Sequence, residues 1–557
     1  MTFEQIKQQL TPKVRQALEL PEDTPVIFEY PDSQFGDLAI PCFPFARILR
    51  MAPPAIAAKL SERLVDEHIQ ECSVVSGYVN LRLNIAQMLE SVAHTPQSAT
   101  AHKVVVEFAS PNTNKPLHLG HMRNIMIGES MSSLYRLLGN QVVKTEIFND
   151  RGIAIAKMML IYDRFHHGEE PTGKSDHFAG SLYVEFEQRV REDETLEAEA
   201  QNILKAWEDG DEYWYGVWKK LRDWVIAGQR ETYNRIGTSF DEEVYESDIY
   251  TQGKELVMDG FERGVLYKDS EKGYIYADLE DQGMPNKILI RSNGTALYIT
   301  QDIALLQYRL YGDSLCRDAD KLIYVTDFAQ NLQFQQLFAI AKILGLKGDG
   351  LYHIGYGAIR RPEGKMSSRK GNVVNADDLI TMIEDLVREQ FFGDSELSEA
   401  EQERRIRIIA DSSYKYYLVA TSAKKDMIFD ESASVSLDGK TGPYILYTYA
   451  RIQSLIRKSE VTPEISSDYD FDSERELITF ALRYPEIVQA AGDQFDPAIL
   501  AQYLYELAEK LNSYYHATPV VGSDPHIEGS RVYLLAQISD MLKQGLAVFG
   551  IETLDEM

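Results

Sequence analysis

Residues 110–124 read Ser-Pro-Asn-Thr-Asn-Lys-Pro-Leu-His-Leu-Gly-His-Met-Arg-Asn. The apolar run Val104-Val105-Val106-Glu107-Phe108 precedes them and has the make-up of a buried strand. Ile125 to Leu138 follows with helical periodicity and stops at Gly139-Asn140. The spacing puts His118 and His121 on the first turn of a helix at the carboxyl end of a parallel strand. Unpaired backbone N–H groups and the helix dipole favour a phosphate there. Gly120 has no side chain, so a flat base can press against the backbone. The stretch predicts a nucleotide site.

A His-x-Gly-His tetrapeptide alone is a weak signal, because histidines so spaced also cap helices or bind metals. A second element narrows the choice. Gly364-Lys365-Met366-Ser367-Ser368-Arg369-Lys370-Gly371-Asn372 sets three cations between glycines without apolar periodicity. By itself it reads as a solvated basic loop or a nucleic-acid patch. Combined with the histidine pair, it supplies what adenylyl transfer from ATP requires.

The two elements resemble the HIGH and KMSKS signatures of class I aminoacyl-tRNA synthetases. The longer string from Ser110-Pro111-Asn112 through Lys115-Pro116 to His118-Leu119-Gly120-His121 is similar to the arginyl-tRNA synthetase family in particular. So are Tyr298-Ile299-Thr300-Gln301-Asp302, Thr441-Gly442-Pro443-Tyr444 and Ala481-Leu482-Arg483-Tyr484-Pro485. The likeness runs from about residue 25 to Met557. Leu119 stands where isoleucine is usual, and Ser368 where many members carry a catalytic lysine, which leaves Lys365 and Lys370 as alternatives for the main charge.

The resemblance implies an arginine–tRNA ligase that activates L-arginine with ATP and Mg2+, in a tRNA-dependent step, and transfers it to a ribose hydroxyl of tRNA(Arg). The carboxylate nucleophile is already ionised, so positioning and charge stabilisation are the enzyme's task. His118 and His121 are expected to hydrogen-bond the phosphates, and Lys365 and Lys370 to neutralise the departing pyrophosphate. Lys115, Gly120, Met366 and Ser367 complete the expected ATP site. A planar guanidinium needs acceptors. Tyr298 and Asp302, four apart, share a face if their segment is helical. Glu107 is expected to hold the α-ammonium or part of the ATP network, Ser110 and Asn112 the backbone end of arginine, and Gln330 its side chain. The resemblance assigns the anticodon loop to the helical domain, where the sequence offers Tyr444, Tyr447 and Met557. Tyr444 suits base stacking and core packing equally, whereas Tyr447 leans towards the core.

A chain of 557 residues is too long for one core. No apolar run reaches the roughly twenty residues of a membrane span, so no membrane partner is expected. Cys42, Cys72 and Cys316 show no metal-ligand spacing, which predicts no resident metal and suits a reducing cytoplasm. A monomer is expected. The net charge of −29 repels tRNA at long range. Binding then falls to local clusters, Arg360-Arg361 with Lys365, Arg369 and Lys370, or Arg404-Arg405-Arg407.

The expected organisation is multidomain α/β. Residues 1–98 form a small N-terminal α+β domain, with two short helices in Ala46 to Leu64 and a hairpin in Val74 to Leu83, that the resemblance assigns to tRNA. Thr95 to Thr100 reads as a linker. Residues 99–400 form a Rossmann-like parallel-sheet catalytic domain. It carries a helical insertion, about 166–237, whose Trp207, Trp214, Trp218 and Trp224 read as core. Residues 401–557 form an all-α helical bundle for the anticodon. Other readings remain open: a class I synthetase for cysteine or glutamate, a small-molecule nucleotidyltransferase of the same superfamily, or a non-catalytic RNA-binding relative. A cysteine enzyme would be expected to carry zinc ligands, and a small-molecule nucleotidyltransferase would not need the helical domain.

Overall fold

The computed structural model describes residues 2–85, 88–89, 101–362, 374–393, 395–466 and 469–557. The expected linker, Thr95 to Thr100, and the cationic loop, Gly364 to Asn372, lie outside them. So do Lys365, Met366, Ser367 and Lys370.

Thr2 caps the first helix through a reciprocal bond with Gln5, and α1 (Phe3–Leu18) buries Phe3, Ile6, Leu10, Val14 and Leu18 on one face. Three antiparallel strands, β1 (Leu38–Pro41), β2 (Ile69–Val75) and β3 (Tyr78–Leu83), pair in the order β1-β3-β2. Ser76 and Gly77 both have positive φ, which is what a two-residue hairpin turn demands. Between β1 and β2 lie α2 (Ala46–Leu49) and α3 (Pro53–Arg63), the latter opening on the proline pair.

The central sheet is all parallel, ordered β11-β10-β4-β5-β6. Its strands are β4 (Lys103–Glu107), β5 (Gln141–Phe148), β6 (Glu242–Tyr245), β10 (Lys321–Asp327) and β11 (Leu351–Tyr356). A small antiparallel sheet of β7 (Tyr267–Lys268), β8 (Ile275–Ala277) and β9 (Lys287–Ile290) interrupts the series. From β4 the chain winds outward through β5 and β6, then returns to place β10 on the other flank of β4. The strand order thus reverses between β4 and β10, and beyond the carboxyl ends of those two strands lies the crevice in which such sheets hold ligands. Valines 104 to 106 and Leu322 to Val325 are buried, as strands covered on both faces require.

Helix α4 (Leu119–Leu137) follows β4. The insertion contains α5 (Ile153–Phe165), α6 (Ser175–Arg189), α7 (Thr195–Glu208) and α8 (Glu212–Ile236). All four share one apolar cluster, so α5, ahead of His166, packs with the helices after it. Trp207 and Trp218 are buried there, and Trp214 and Trp224 pack against it, in keeping with core tryptophans. After β6 come α9 (Glu246–Ile249) and α10 (Gln252–Glu262), then α11 (Tyr298–Tyr311) and α12 (Asn331–Ile343).

Two short strands, β12 (Ile359–Arg360) and β13 (Met427–Ile428), pair in parallel across α13 (Ala376–Phe392) and α14 (Glu399–Val419). The remainder is helical: α15 (Glu431–Ser434), α16 (Gly442–Lys458), α17 (Arg475–Ala481), α18 (Tyr484–Asp493), α19 (Ala498–Ala517) and α20 (Pro525–Val548). The N-terminal unit is bonded to this bundle. Arg475 of α17, itself buried, reaches Asp37 at 2.5 Å, Thr479 donates to the same carboxylate at 3.1 Å, and Lys7 pairs with Glu486 at 2.8 Å. Among the described residues no helix is long and apolar enough to cross a membrane.

Candidate active site

The segment from Phe108 to His118 crosses the carboxyl edge of the sheet. Ala109 and Ser110 hold φ of 62° and 44°, a left-handed pair without glycine that costs energy wherever it occurs. Three asparagine bonds hold it. Asn124 Oδ1 accepts from Ala109 N at 2.5 Å, Asn124 Nδ2 donates to Val325 O at 2.7 Å, and Asn149 Nδ2 donates to Ser110 O at 3.0 Å. The insertion backs the loop from outside. Gln229 of α8 donates to the carbonyls of Asn112 and Lys115, and a Cβ on Gly180 would lie 2.7 Å from Pro116. Sequence reasoning missed Asn124 and Asn149. The signal for Asn124 was its place beside Arg123, a polar pair inside an otherwise buried apolar helix.

His118 is the N-cap of α4 and His121 its third residue, and each closes the helix on the other. Gly120 N donates to His118 Nδ1 at 3.1 Å, and His118 N donates to His121 Nδ1 at 3.1 Å. With both Nδ1 atoms accepting, each ring carries its proton on Nε2. Burial, reinforced by Lys115, pushes His118 down to about 4. Burial holds His121 well below the ordinary range, with His118 and Lys115 adding to it. Both are neutral donors at pH 7. Gly120 serves a different neighbour from the one its sequence suggests. A Cβ there would sit 3.0 Å from His118 Cε1, so the missing side chain admits the histidine ring. Lys115 is half-buried, and burial lowers its pKa.

Tyr298 and Asp302 lie one helical turn apart on α11, as expected of a helical segment. Tyr298 is 73% exposed. Burial raises Asp302 to about 6, against the lowering effect of a 2.7 Å bond from Gln333 and of Lys287. Beside it burial raises Glu246 to about 7, with Arg151 opposing and Asp150 and Asp302 adding. Gln330, at the N-cap of α12, and Asn112 are exposed. Ser110 is half-buried, its Oγ 3.3 Å from Ile147 N and 3.5 Å from Glu107 Oε1. Glu107 is committed to an ion pair with Arg309, whose side chain is fully buried. One of its two oxygens is thereby occupied, a partner that sequence spacing did not reveal. Gln333 was missed as well.

In the helical bundle the two tyrosines differ in burial. Tyr447 is exposed, with Arg451 stacked 4.8 Å from its ring and 5.2 Å from that of Tyr515. Tyr444 is half-buried, accepts from Asn512 at 3.0 Å and lies 5.6 Å from Tyr505. Tyr447 points outward between buried Leu446 and Thr448, which corrects its leaning towards the core. Met557 packs partly buried against the core. Among the described residues, four members of the expected basic clusters are paired. Arg404 meets Glu552 at 2.7 Å, Arg405 meets Glu401 at 2.7 Å, and Arg360 and Arg361 face Asp426 and Glu431. Arg407 is exposed.

A switch-point crevice in a parallel sheet, with Nδ1-locked histidines opening the first helix, defines a class I aminoacyl-tRNA synthetase. Residues 84–430 match the model of the class I (R) tRNA synthetase catalytic domain, residues 445–557 that of the DALR anticodon binding domain, and residues 4–83 that of the arginyl tRNA synthetase N terminal domain. The chain is 37% identical to the arginine–tRNA ligase of Parabacteroides distasonis, over 94% of each chain, and 36% identical to that of Bacteroides thetaiotaomicron over the same shares. The solved Thermus thermophilus arginyl-tRNA synthetase superposes with a TM-score of 0.86 at 26% identity, covering 99% of this chain and 100% of its own. The chain belongs to the arginyl-tRNA synthetase family.

Proposed function

We propose that this chain activates L-arginine with ATP, in a tRNA-dependent step, and transfers it from arginyl-adenylate to the 3′-terminal adenosine of tRNA(Arg). The observation that carries the chemistry is the locked histidine pair. Attack of the arginine carboxylate on the α-phosphorus expels pyrophosphate, and negative charge gathers on the non-bridging oxygens. Two neutral Nε2–H donors at a helix N-terminus stabilise that charge without exchanging a proton. Lys115 approaches the phosphates from the preceding loop, and Gly120, Met366 and Ser367 border the nucleotide. Lys365 and Lys370 neutralise pyrophosphate as it leaves.

Asp302 and Tyr298 take the guanidinium and Gln330 flanks it. Ser110, Asn112 and the Glu107 oxygen not paired with Arg309 take the ammonium and carboxylate end. Among the described residues no group of three or more His, Cys, Asp or Glu is placed to hold a metal. Magnesium would accompany ATP, held largely by its phosphates and by water. We divide the chain into 1–98, 99–400 and 401–557, the first touching the outer corner of tRNA and the last its anticodon through Tyr444, Tyr447 and Met557. We place the enzyme in the cytoplasm as a monomer; the unpaired thiols of Cys42, Cys72 and Cys316 suit a reducing compartment.

Pyrophosphate exchange tests the reading. Arginine should exceed lysine by about a hundredfold, since a site built for a planar fork leaves acceptors unpaired with an ammonium. Exchange should need tRNA. Equal rates with both amino acids, or full exchange without RNA, would overturn the respective part.

A further inference from the structure

The helix that presents the histidines is gripped at both ends, near His121 by the segments around Gly357 and residues 422–425 and at its far end by α18 of the helical bundle. Arg123, two residues after His121, is fully buried and among the described residues pairs with no carboxylate. Its guanidinium donates instead to three backbone carbonyls, Gly357 at 2.6 Å, Lys425 at 2.8 Å and Ser422 at 3.3 Å. Those carbonyls belong to the two segments that converge on the β12–β13 pair. They are interlocked, with Gly357 N donating to Ala423 O at 2.8 Å and a Cβ on Gly357 lying 2.5 Å from the carbonyl carbon of Lys425. A planar fork held at both terminal nitrogens by carbonyls fixes an orientation that a lysine cannot reproduce.

The same turn holds the strained loop on its other side, because the next residue is Asn124, which bonds Ala109 N and Val325 O. Sixteen residues beyond Leu119 the far end is gripped again. Tyr135, buried, donates to Gly492 O of α18 at 3.0 Å, and a Cβ on Gly492 would lie 2.8 Å from Leu138 Cδ1. A helix of this length is stiff over the roughly 25 Å that separate Tyr135 from His118. Midway it is seated on the sheet, since a Cβ on Gly128 would fall 2.2 Å from the Phe108 ring.

The structure assigns to Arg123 and Tyr135 a shared role as positioning residues: they tie the histidine-bearing helix α4 to the helical bundle, so that tRNA held by the bundle sets the placement of His118 and His121. This rests on the tRNA-dependent activation proposed above. Any shift of α18 or of the 422–425 segment on RNA binding reaches the histidines through one rigid element, with no intervening loop. The coupling is a property of α4 as a body, so disturbing either grip should weaken it.

The full-length enzyme with Tyr135→Phe provides the test, because it removes one hydroxyl remote from the chemistry, and Arg123→Lys provides the stronger perturbation. Arginine-dependent pyrophosphate exchange is measured with and without tRNA, beside the tRNA Kd, the KM values for ATP and arginine, and the melting temperature. Expected for Tyr135→Phe are an unchanged tRNA Kd, unchanged KM values, and a stimulation by tRNA lowered about threefold to tenfold. Arg123→Lys should lower the stimulation further. A merely structural role would lower the melting temperature and leave the stimulation ratio of the folded enzyme as in the wild type, and that result overturns the proposal. Full exchange by the wild type without tRNA removes the underlying reading instead, and is seen before any variant is made.

Discussion

Asp302 offers the sharpest test of how the arginine site works. Its carboxyl titrates at about 6 because burial raises it, with Gln333 and Lys287 opposing. It is therefore about 90% ionised at pH 7 and about 10% at pH 5. If the ionised form takes the guanidinium, kcat/KM for arginine should fall about tenfold across that interval, with an inflection near 6. The histidines add nothing there, since His118 lies at about 4 and His121 well below its ordinary range. Glu246, raised to about 7, does titrate nearby, so Glu246→Gln serves as the control. Asp302→Asn should abolish the inflection and lower kcat/KM for arginine about a hundredfold, the loss expected when a charge-assisted bond becomes a neutral one. The KM for ATP should hold.

Stability carries the same signature. The folded-state value lies above the ordinary 3.8, so this carboxyl supports the unliganded fold at low pH and that support is lost as pH rises through about 6. Bound arginine restores it, and should raise the melting temperature more at pH 7 than at pH 5. An inflection near 6 that survives Asp302→Asn, or a loss shared equally between arginine and ATP, would refute the assignment.

Three further outcomes are expected. His118→Ala and His121→Ala should each lower kcat and kcat/KM together by about a hundredfold in exchange assays, because the Nε2–H donors act on charge that develops in the transition state. Arg309→Met should destabilise the fold by about 3–5 kcal/mol in urea titrations, leaving Glu107 buried without its partner, and adding Glu107→Gln should recover part of the loss. Tyr447→Ala should weaken tRNA binding with little change in melting temperature, whereas Tyr444→Ala, which strips a bond from Asn512, should lower it.

The sequence announced what local chemistry dictates. A valine run, a histidine pair at a helix start and a glycine stop placed β4 and α4, and the turn spacing of Tyr298 and Asp302 put both on one face. Partners brought by the fold were illegible. Arg309 lies some two hundred residues from Glu107, and nothing in either neighbourhood announces a buried ion pair. The Nδ1 bonds that set the histidine tautomers depend on cap geometry rather than composition. Tyr444 and Tyr447 differ in burial because of where α19 crosses α16, which periodicity within one helix cannot reveal.

The Arg475–Asp37 bond changes how the first hundred residues should be regarded in protein engineering. A chain shortened to begin at the catalytic unit would not simply lose a peripheral attachment. It would strand a guanidinium, formed to be covered, on the flank of the bundle, together with the unanswered hydroxyl of Thr479 and the orphaned carboxylate of Glu486. Truncations intended as minimal enzymes should therefore lose stability or solubility, because the apolar core that residues of the first unit share with the bundle would be uncovered along with these polar partners. The outermost segment of the sequence is thus also a cover for part of the bundle's interior.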